Sequence, residues 1–250
     1  RVREHGGALG LCGGGAADLG DLVATLVLDS TLYGEGRHHE LISFERVCAG
    51  DVIVGLASAG QATYEVEPNS GIGSNGLTLA RYALLHPEYL KEFPEAFGFD
   101  TSRQAYGRWR LTEFDDELGS TAAHALLSPT RTYAPVVMKI LGAVPRVAIH
   151  GMAHCTGGGQ TKIRSFQGRY RIIKDNLFDP PPLFRTIQHR AQVPWHEMYA
   201  VFNMGHRMEL VVAQEVAQEI LAIASSFGVE AKIVGRIVPL TDDTSPLIID

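Results

Sequence analysis

The chain of 250 residues is 45% hydrophobic and 20% charged, an ordinary composition for a globular protein with room for one large domain or two small ones. A formal net charge of −6 argues against a nucleic-acid footprint, and no apolar run reaches the length of a membrane span, so neither nucleic acid nor membrane is expected as a partner. The three cysteines, Cys12, Cys48 and Cys155, are odd in number and widely spaced, which predicts reduced thiols in a cytoplasmic protein.

The first candidate site is a glycine turn near the start of the chain. An apolar strand is predicted over residues 8–12, and the glycines 13–15 follow it, with Asp18 and Asp21 close behind. Acids after a glycine turn suit Mg²⁺, which takes oxygen ligands and often nucleotide phosphates. A polar turn that caps a helix explains these residues slightly better when they are taken alone.

The second candidate site is the loop GIGSNG, residues 71–76. It follows a strand predicted over Val52–Leu56 and precedes a helix predicted over Leu77–Leu85, whose N-cap residues are expected to be Ser74 or Asn75. A glycine-rich loop at a helix N-terminus is a typical anion site. The loop lacks the GxxxxGK[ST] pattern, so an ordinary P-loop is not predicted.

Two helical stretches follow a segment, residues 86–119, in which no chemistry is readable. They cover residues 120–127 and 132–142, and prolines separate them. Arg131 lies between the two helices, where it could reach an anion, but an exposed surface arginine is the expected outcome.

The third candidate site is the segment Ala148–Lys162, and we call its later part, residues 155–162, the glycine loop. A strand predicted over Val144–Ile149 leads into it, and Gly157–Gly159 can turn sharply and point successive N–H groups at one spot. Thr156 adds a hydroxyl group and Lys162 a positive charge, so an oxyanion site and a plain glycine turn are about equally favoured by this segment alone.

Zinc is a weaker interpretation of the same segment. His150, His154 and Cys155 are ligand types, but histidines four residues apart share one ion only on a helix, and glycines on both sides argue against a helix.

The last third of the chain alternates helices and strands. An exposed strand or hairpin is predicted within residues 163–178, then a helix with prolines in its first turn. A strand over Met208–Val212, a helix over Gln214–Phe227 and a strand over Glu230–Val238 complete the pattern. The predicted fold is α/β, a mixed sheet covered by helices.

Three stretches together resemble one family. GDVIVGLASAG with GIGSNGLTLAR, LLSPTRTYAPVV with IHGMAHCTGGGQTK, and VFNMGHRMELVV are similar, in order and spacing, to phosphoribosylformylglycinamidine cyclo-ligase, also called aminoimidazole ribonucleotide synthetase. The resemblance runs from Leu11 to Ile237. It implies a remnant of the N-terminal ATP-binding lobe over residues 1–45, which would supply that lobe's last strands, and a C-terminal domain of the synthetase-like fold over residues 46–250.

The resemblance also implies an activity. The family uses ATP and Mg²⁺ to close the imidazole ring of formylglycinamidine ribonucleotide in purine biosynthesis, and its members form homodimers. It implies Asp18 and His154 as catalytic residues, with Asp18 also binding the metal. The implied substrate- or phosphate-binding residues are Gly73, Ser74, Asn75, Gly76, Arg81, Thr156, Gly157, Gly158, Gly159, Lys162 and Asn203.

One departure from the family pattern affects the expected activity. The family's first cradle usually reads GGET, whereas Gly15 and Ala16 stand here in place of the glutamate and the threonine. The chain also starts where the family's N-terminal lobe is nearly finished, so little turnover by this chain alone is expected.

The alternative is a non-catalytic binding or scaffold module of the same fold. A third reading, a selenophosphate synthetase or purine amidotransferase, is disfavoured by the SPTRTY and VFNMG stretches.

Overall fold

The computed structural model describes residues 31, 33–96, 107–165, 170–240 and 246–249. Asp18 and the glycine turn at residues 13–15 lie outside this part of the chain. The division into residues 1–45 and 46–250 therefore stays a prediction.

One large sheet organises the described residues. The strands are β1 (Val52–Ala57), β2 (Phe114–Asp115), β3 (Ser120–Thr121), β4 (Ile149–His154), β5 (Tyr170–Lys174), β6 (His206–Val212), β7 (Ala231–Pro239) and β8 (Leu247–Ile249). Strands β2 and β3 pair with each other, and the other six form a sheet in the order β4-β6-β1-β7-β5-β8. Every neighbouring pair in that sheet is antiparallel except β5 and β8, so the predicted mixed sheet is confirmed.

The centre of the sheet follows from the sequence. Strand β1 has the sequence VIVGLA, and all six of its residues are buried, as its unbroken apolar run predicts. It pairs with β6 on one side and β7 on the other. The predicted strands over Met208–Val212 and Glu230–Val238 correspond to β6 and β7 within two residues.

The described residues contain seven α-helices. They are α1 (Leu77–Leu84), α2 (Glu88–Glu92), α3 (Ala122–Leu127), α4 (Ala134–Ala143), α5 (Pro182–Ala191), α6 (Trp195–Val201) and α7 (Ala217–Ser226). Helices α4 and α7 pack on one sheet face, against side chains that include Val54 and Leu210. Helices α1, α3, α5 and α6 bury a second core around Phe184 and Phe202. Over the described residues, no helix is long and apolar enough to cross a bilayer.

Two local predictions are wrong. The strand predicted over Val144–Ile149 begins only at Ile149, because Val144 ends α4 and a short 3₁₀ turn after Pro145 occupies the residues between them. The strand predicted as exposed within residues 163–178 is β5, in which alternate residues are buried. Its last residue, Lys174, is completely buried.

Candidate anion-binding site

The glycine loop begins directly where β4 ends, at His154. The Cys155 N–H donates to the carbonyl of Arg207 at 2.6 Å, and the Thr156 N–H donates to the carbonyl of His154 at 2.7 Å. The three glycines then follow with φ values of +59°, +106° and +48° at Gly157, Gly158 and Gly159. Side chains with a Cβ resist this conformation, which explains the glycine triplet.

The three glycines do not share one role. A Cβ on Gly159 would lie 2.4 Å from the carbonyl oxygen of Phe202 and 2.6 Å from that of Tyr199, so Gly159 allows the loop to pack against α6. A Cβ on Gly157 would meet nothing within 4 Å. Within the described residues, the N–H groups of Gly157 and Gly158 donate to no other backbone carbonyl, so they remain free for a ligand.

Arg207 joins the glycine loop to the loop at residues 71–76. Its backbone carbonyl accepts from Cys155, while its guanidinium donates to the carbonyls of Gly71 at 2.9 Å and Ile72 at 2.7 Å. A Cβ on Gly73 would lie 2.0 Å from a guanidinium nitrogen of Arg207, so the absence of a side chain there makes room for the arginine. The structure therefore brings the two predicted cradles together.

The predicted N-cap of α1 is wrong. The cap position is Gly76, with φ at +76°, and no side chain caps the helix. The Asn75 side chain donates instead to the carbonyl of Val201 at 3.0 Å, at the end of α6, where helix carbonyls lack intrahelical partners. Arg81, on α1, donates to the carbonyl of Ala96 at 2.9 Å.

Asn203 holds the turn before β6. Its amide oxygen accepts from the Ser58 hydroxyl at 2.6 Å and from the Gly205 N–H at 3.2 Å, and its amide nitrogen donates to the Gly71 carbonyl at 2.8 Å. The side chain is buried, with these bonds all inside the protein. The geometry makes Asn203 a positioning residue for the loop at residues 71–76.

A buried charge network lies beneath the glycine loop. The Lys174 ammonium donates to the Glu209 carboxylate at 2.5 Å and to the Gln160 carbonyl at 2.7 Å. The His206 ring contacts the same carboxylate at 2.9 Å, and the Gln160 amide donates to the His206 carbonyl at 3.0 Å. The sequence did not predict this network, because Arg171 and Arg207 are charged residues in the same strands and leave Lys174 and Glu209 without a distinct signal.

The network affects the pKa values of its members. Burial alone would raise the pKa of Glu209, but Lys174 and His206 lower it to about 2. Burial, followed by the charge of Glu209, raises the pKa of the Cys155 thiol well above its usual range, so that thiol is protonated. His150 and His154 are four residues apart on β4, roughly 13 Å, too far to share an ion.

The expectation that Arg131 is an exposed arginine is wrong. Its side chain is buried and forms an ion pair with Glu65 at 2.7 Å. The guanidinium also donates to the carbonyls of Ala57, Ala59 and Gly60, at 2.7 to 3.0 Å. Five N–H donors in a planar fork suit such a set of acceptors, so Arg131 closes the turn after β1 rather than binding a ligand.

Comparison with known proteins identifies the family. Residues 49–245 match the family described as AIR synthase related protein, C-terminal domain. The chain belongs to this family. It is similar to the phosphoribosylformylglycinamidine cyclo-ligases of Methanocaldococcus jannaschii (33% identical, 92% of this chain and 57% of the relative) and Methanopyrus kandleri (38%, 78% and 46%). This AIR synthase-related chain thus spans about half the length of the curated relatives it matches.

Among solved structures, the chain is similar to T. maritima PurL complexed with FGAR, at 16% sequence identity and a TM-score of 0.42. The match covers 81% of this chain and 26% of that one.

The pKa of His154 depends on the positive charges at the site of this AIR synthase-related chain. Burial first, and then the positive charges of Arg207 and Lys162, lower the pKa of its ring below the usual 6.5. Replacing Lys162 by methionine removes one of these charges, so we expect the pKa of His154 to rise. A pH titration of the ring protons by NMR measures this change. An unchanged pKa would show that Lys162 does not act on the site.

Proposed function

We propose that this chain is the C-terminal part of an ATP-dependent cyclo-ligase that closes the imidazole ring of formylglycinamidine ribonucleotide to give aminoimidazole ribonucleotide. The family membership and the names of the curated relatives support this proposal. In those relatives the activity belongs to a longer protein than this chain. We therefore propose, for the whole protein, the ribonucleotide substrate, a homodimer and a cytoplasmic location.

The convergence of two glycine-rich loops at Arg207 is the observation on which the proposal rests. The glycine loop offers the free N–H groups of Gly157 and Gly158, and Lys162 adds a positive charge. Arg207 forms no ion pair with a carboxylate of the described residues, so its charge also favours an anion nearby. The ligand that this arrangement fits is a phosphate, either of the ribonucleotide or of ATP.

His154 is the proposed catalytic residue at this site. It is exposed beside Thr156, with its Nδ1 3.3 Å from the threonine hydroxyl. Its lowered pKa keeps the imidazole neutral near pH 7, and a neutral imidazole can accept the proton that the attacking nitrogen loses when the ring closes.

ATP and Mg²⁺ fit the described residues unequally. N–H groups and Lys162 suit a nucleotide phosphate, whose chemistry is to activate the amide oxygen of the substrate. Mg²⁺ requires oxygen ligands, and the carboxylates of Glu65 and Glu209 are already paired with Arg131 and Lys174. The proposed metal ligand remains Asp18, which is outside the described residues.

Replacing Gly158 by valine tests the anion site. Because Gly158 has a φ of +106°, the β-branched side chain should distort the loop, and we expect binding of the substrate ribonucleotide to be abolished. Isothermal titration calorimetry on wild type and variant measures the affinity. The matched control is Gly119→Val, since Gly119 also has a positive φ of +61° with open space around it, at a loop outside the site. Equal affinities for wild type and Gly158→Val would show that the loop is only a turn.

The non-catalytic alternative rests on Gly15 and Ala16, which replace the glutamate and threonine of the family pattern. It predicts ribonucleotide binding without formation of ADP. Incubating the chain with ATP, Mg²⁺ and the ribonucleotide, and measuring ADP and aminoimidazole ribonucleotide, tests this alternative. Production of both would exclude the scaffold module.

A further inference from the structure

Three metal-ligating side chains meet at the end of β4 that is remote from the glycine loop. They are Cys48, Asp51 and His150, and one ligand atom from each lies within 4.8 Å of the other two. His150 is the second residue of β4, whereas the glycine loop follows its last residue. The cluster is therefore separate from the proposed anion site.

The distances between these atoms fit a tetrahedral ion. The Cys48 Sγ lies 3.6 Å from the Asp51 Oδ1, and the His150 Nδ1 lies 2.8 Å from the Asp51 Oδ2. Around tetrahedral zinc, a thiolate sulfur and a carboxylate oxygen stand about 3.6 Å apart, and an imidazole nitrogen and a carboxylate oxygen about 3.4 Å. Both measured contacts are near these values, but they reach different oxygens of Asp51, so binding of an ion through one oxygen requires a small rotation of the carboxylate.

The backbone holds the three groups in place. The Asp51 carbonyl accepts from the Ile237 N–H at 2.8 Å, and the Gly50 N–H donates to the Ile237 carbonyl at 3.0 Å, which fixes the turn to β7. The Asp51 N–H also donates to the Cys48 carbonyl at 3.2 Å. Ligands on a sheet and an anchored turn need little reorganisation to bind an ion.

Burial gives the cluster one open side. Asp51 is 3% exposed and the His150 side chain is 14% exposed, whereas Cys48 is an exposed residue. Three protein ligands with solvent access leave a fourth position for water.

We propose that Cys48, Asp51 and His150 bind a divalent transition-metal ion of the zinc class. Sulfur and imidazole nitrogen select zinc, cobalt and their neighbours over Mg²⁺ and Ca²⁺, which prefer oxygen alone. Without an ion, the same groups form an ordinary hydrogen-bonded turn in which Asp51 accepts from the Cys48 N–H at 2.9 Å and contacts His150.

Titration of the chelator-treated chain with Co²⁺ distinguishes these two states. Cobalt bound to a thiolate gives a charge-transfer absorption band in the near ultraviolet, and we expect that band to saturate at one ion per chain. Zn²⁺ should then displace the cobalt and abolish the band. A chain that shows no band at saturating Co²⁺ has only the hydrogen-bonded turn, and that result would overturn the proposal.

Matched variants assign the ligands. We expect Cys48→Ser to abolish the band, and His150→Asn to weaken Zn²⁺ binding by about 100-fold or more, since even second-shell changes cost 10- to 100-fold. The controls Cys12→Ser and His196→Asn remove another thiol and another imidazole and should leave the affinity unchanged. Circular dichroism checks that each variant is folded. A band that survives Cys48→Ser, or that Cys12→Ser removes, would refute the assignment.

Discussion

Replacing Lys174 by methionine is expected to lower the free energy of unfolding by about 3–5 kcal/mol, the usual cost of removing one partner from a buried ion pair. Both Lys174 and Glu209 are completely buried, and the methionine would leave the carboxylate with the His206 ring and the Cys155 thiol beside it but without the ammonium group. Burying a charge without its partner is more costly than losing the pair. Urea unfolding followed by circular dichroism measures the change.

The double variant Lys174→Met with Glu209→Leu is the control for this prediction. It removes both charges at once, so we expect it to recover most of the lost stability. A loss of less than 1 kcal/mol for Lys174→Met alone would contradict an ionised buried pair.

The same carboxylate predicts loss of stability in acid. The pKa of Glu209 is about 2 in the folded chain, below its ordinary value of 4.5, because Lys174 and His206 outweigh the opposing effect of burial. A group with a lowered folded pKa stabilises the protein above its unfolded pKa, and this contribution is lost as the pH falls from about 4.5 to about 2. Urea unfolding of wild type should show this loss, and the double variant should lack it.

Replacing Gly159 by alanine is expected to have the second-largest effect. The left-handed backbone costs a residue with a Cβ about 1–2 kcal/mol, and overpacking typically costs about 1–3 kcal/mol more. The overpacking arises because the new Cβ would lie 2.4 Å from the backbone oxygen of Phe202, which cannot rotate away. The expected loss is therefore about 2–5 kcal/mol, measured by thermal or urea unfolding.

Gly157→Ala is the matched control in the same loop. Gly157 has a similar φ, +59°, but a Cβ there would meet nothing within 4 Å. Only the backbone cost of about 1–2 kcal/mol remains. Equal losses for Gly157→Ala and Gly159→Ala would show that the contact between the loop and α6 is not tight.

Local patterns predicted the centre of the fold but not its buried charges. Strand β1 was predictable because β-branched and apolar residues run without a break from Val52 to Leu56. The three consecutive glycines, Gly157–Gly159, likewise predicted a turn with positive φ values. The residues around Lys174 in the sequence do not show that it faces Glu209. The two residues are 35 positions apart, and they meet only because of the order of the strands in the sheet.

Arg131 was wrongly predicted to be exposed, and Arg207 was not singled out, for the same reason. Each satisfies carbonyls that are more than 60 residues distant along the chain. A buried arginine of this kind is specified by the loop that it binds, and the sequence does not show which loop that will be. The separation of Cys48 and Asp51 from His150 concealed that cluster in the same way.

The sheet order also has a consequence for how the chain is made. Strand β1 is completely buried at the centre of the sheet, but both strands that flank it, β6 and β7, come from the last fifth of the chain. On the ribosome, roughly 150 residues must be added after β1 before its first neighbour is made, which takes about 8–30 s at 5–20 residues per second. During that interval the apolar sequence of β1 lacks both of its partner strands, and unpaired strands of this kind are prone to aggregation.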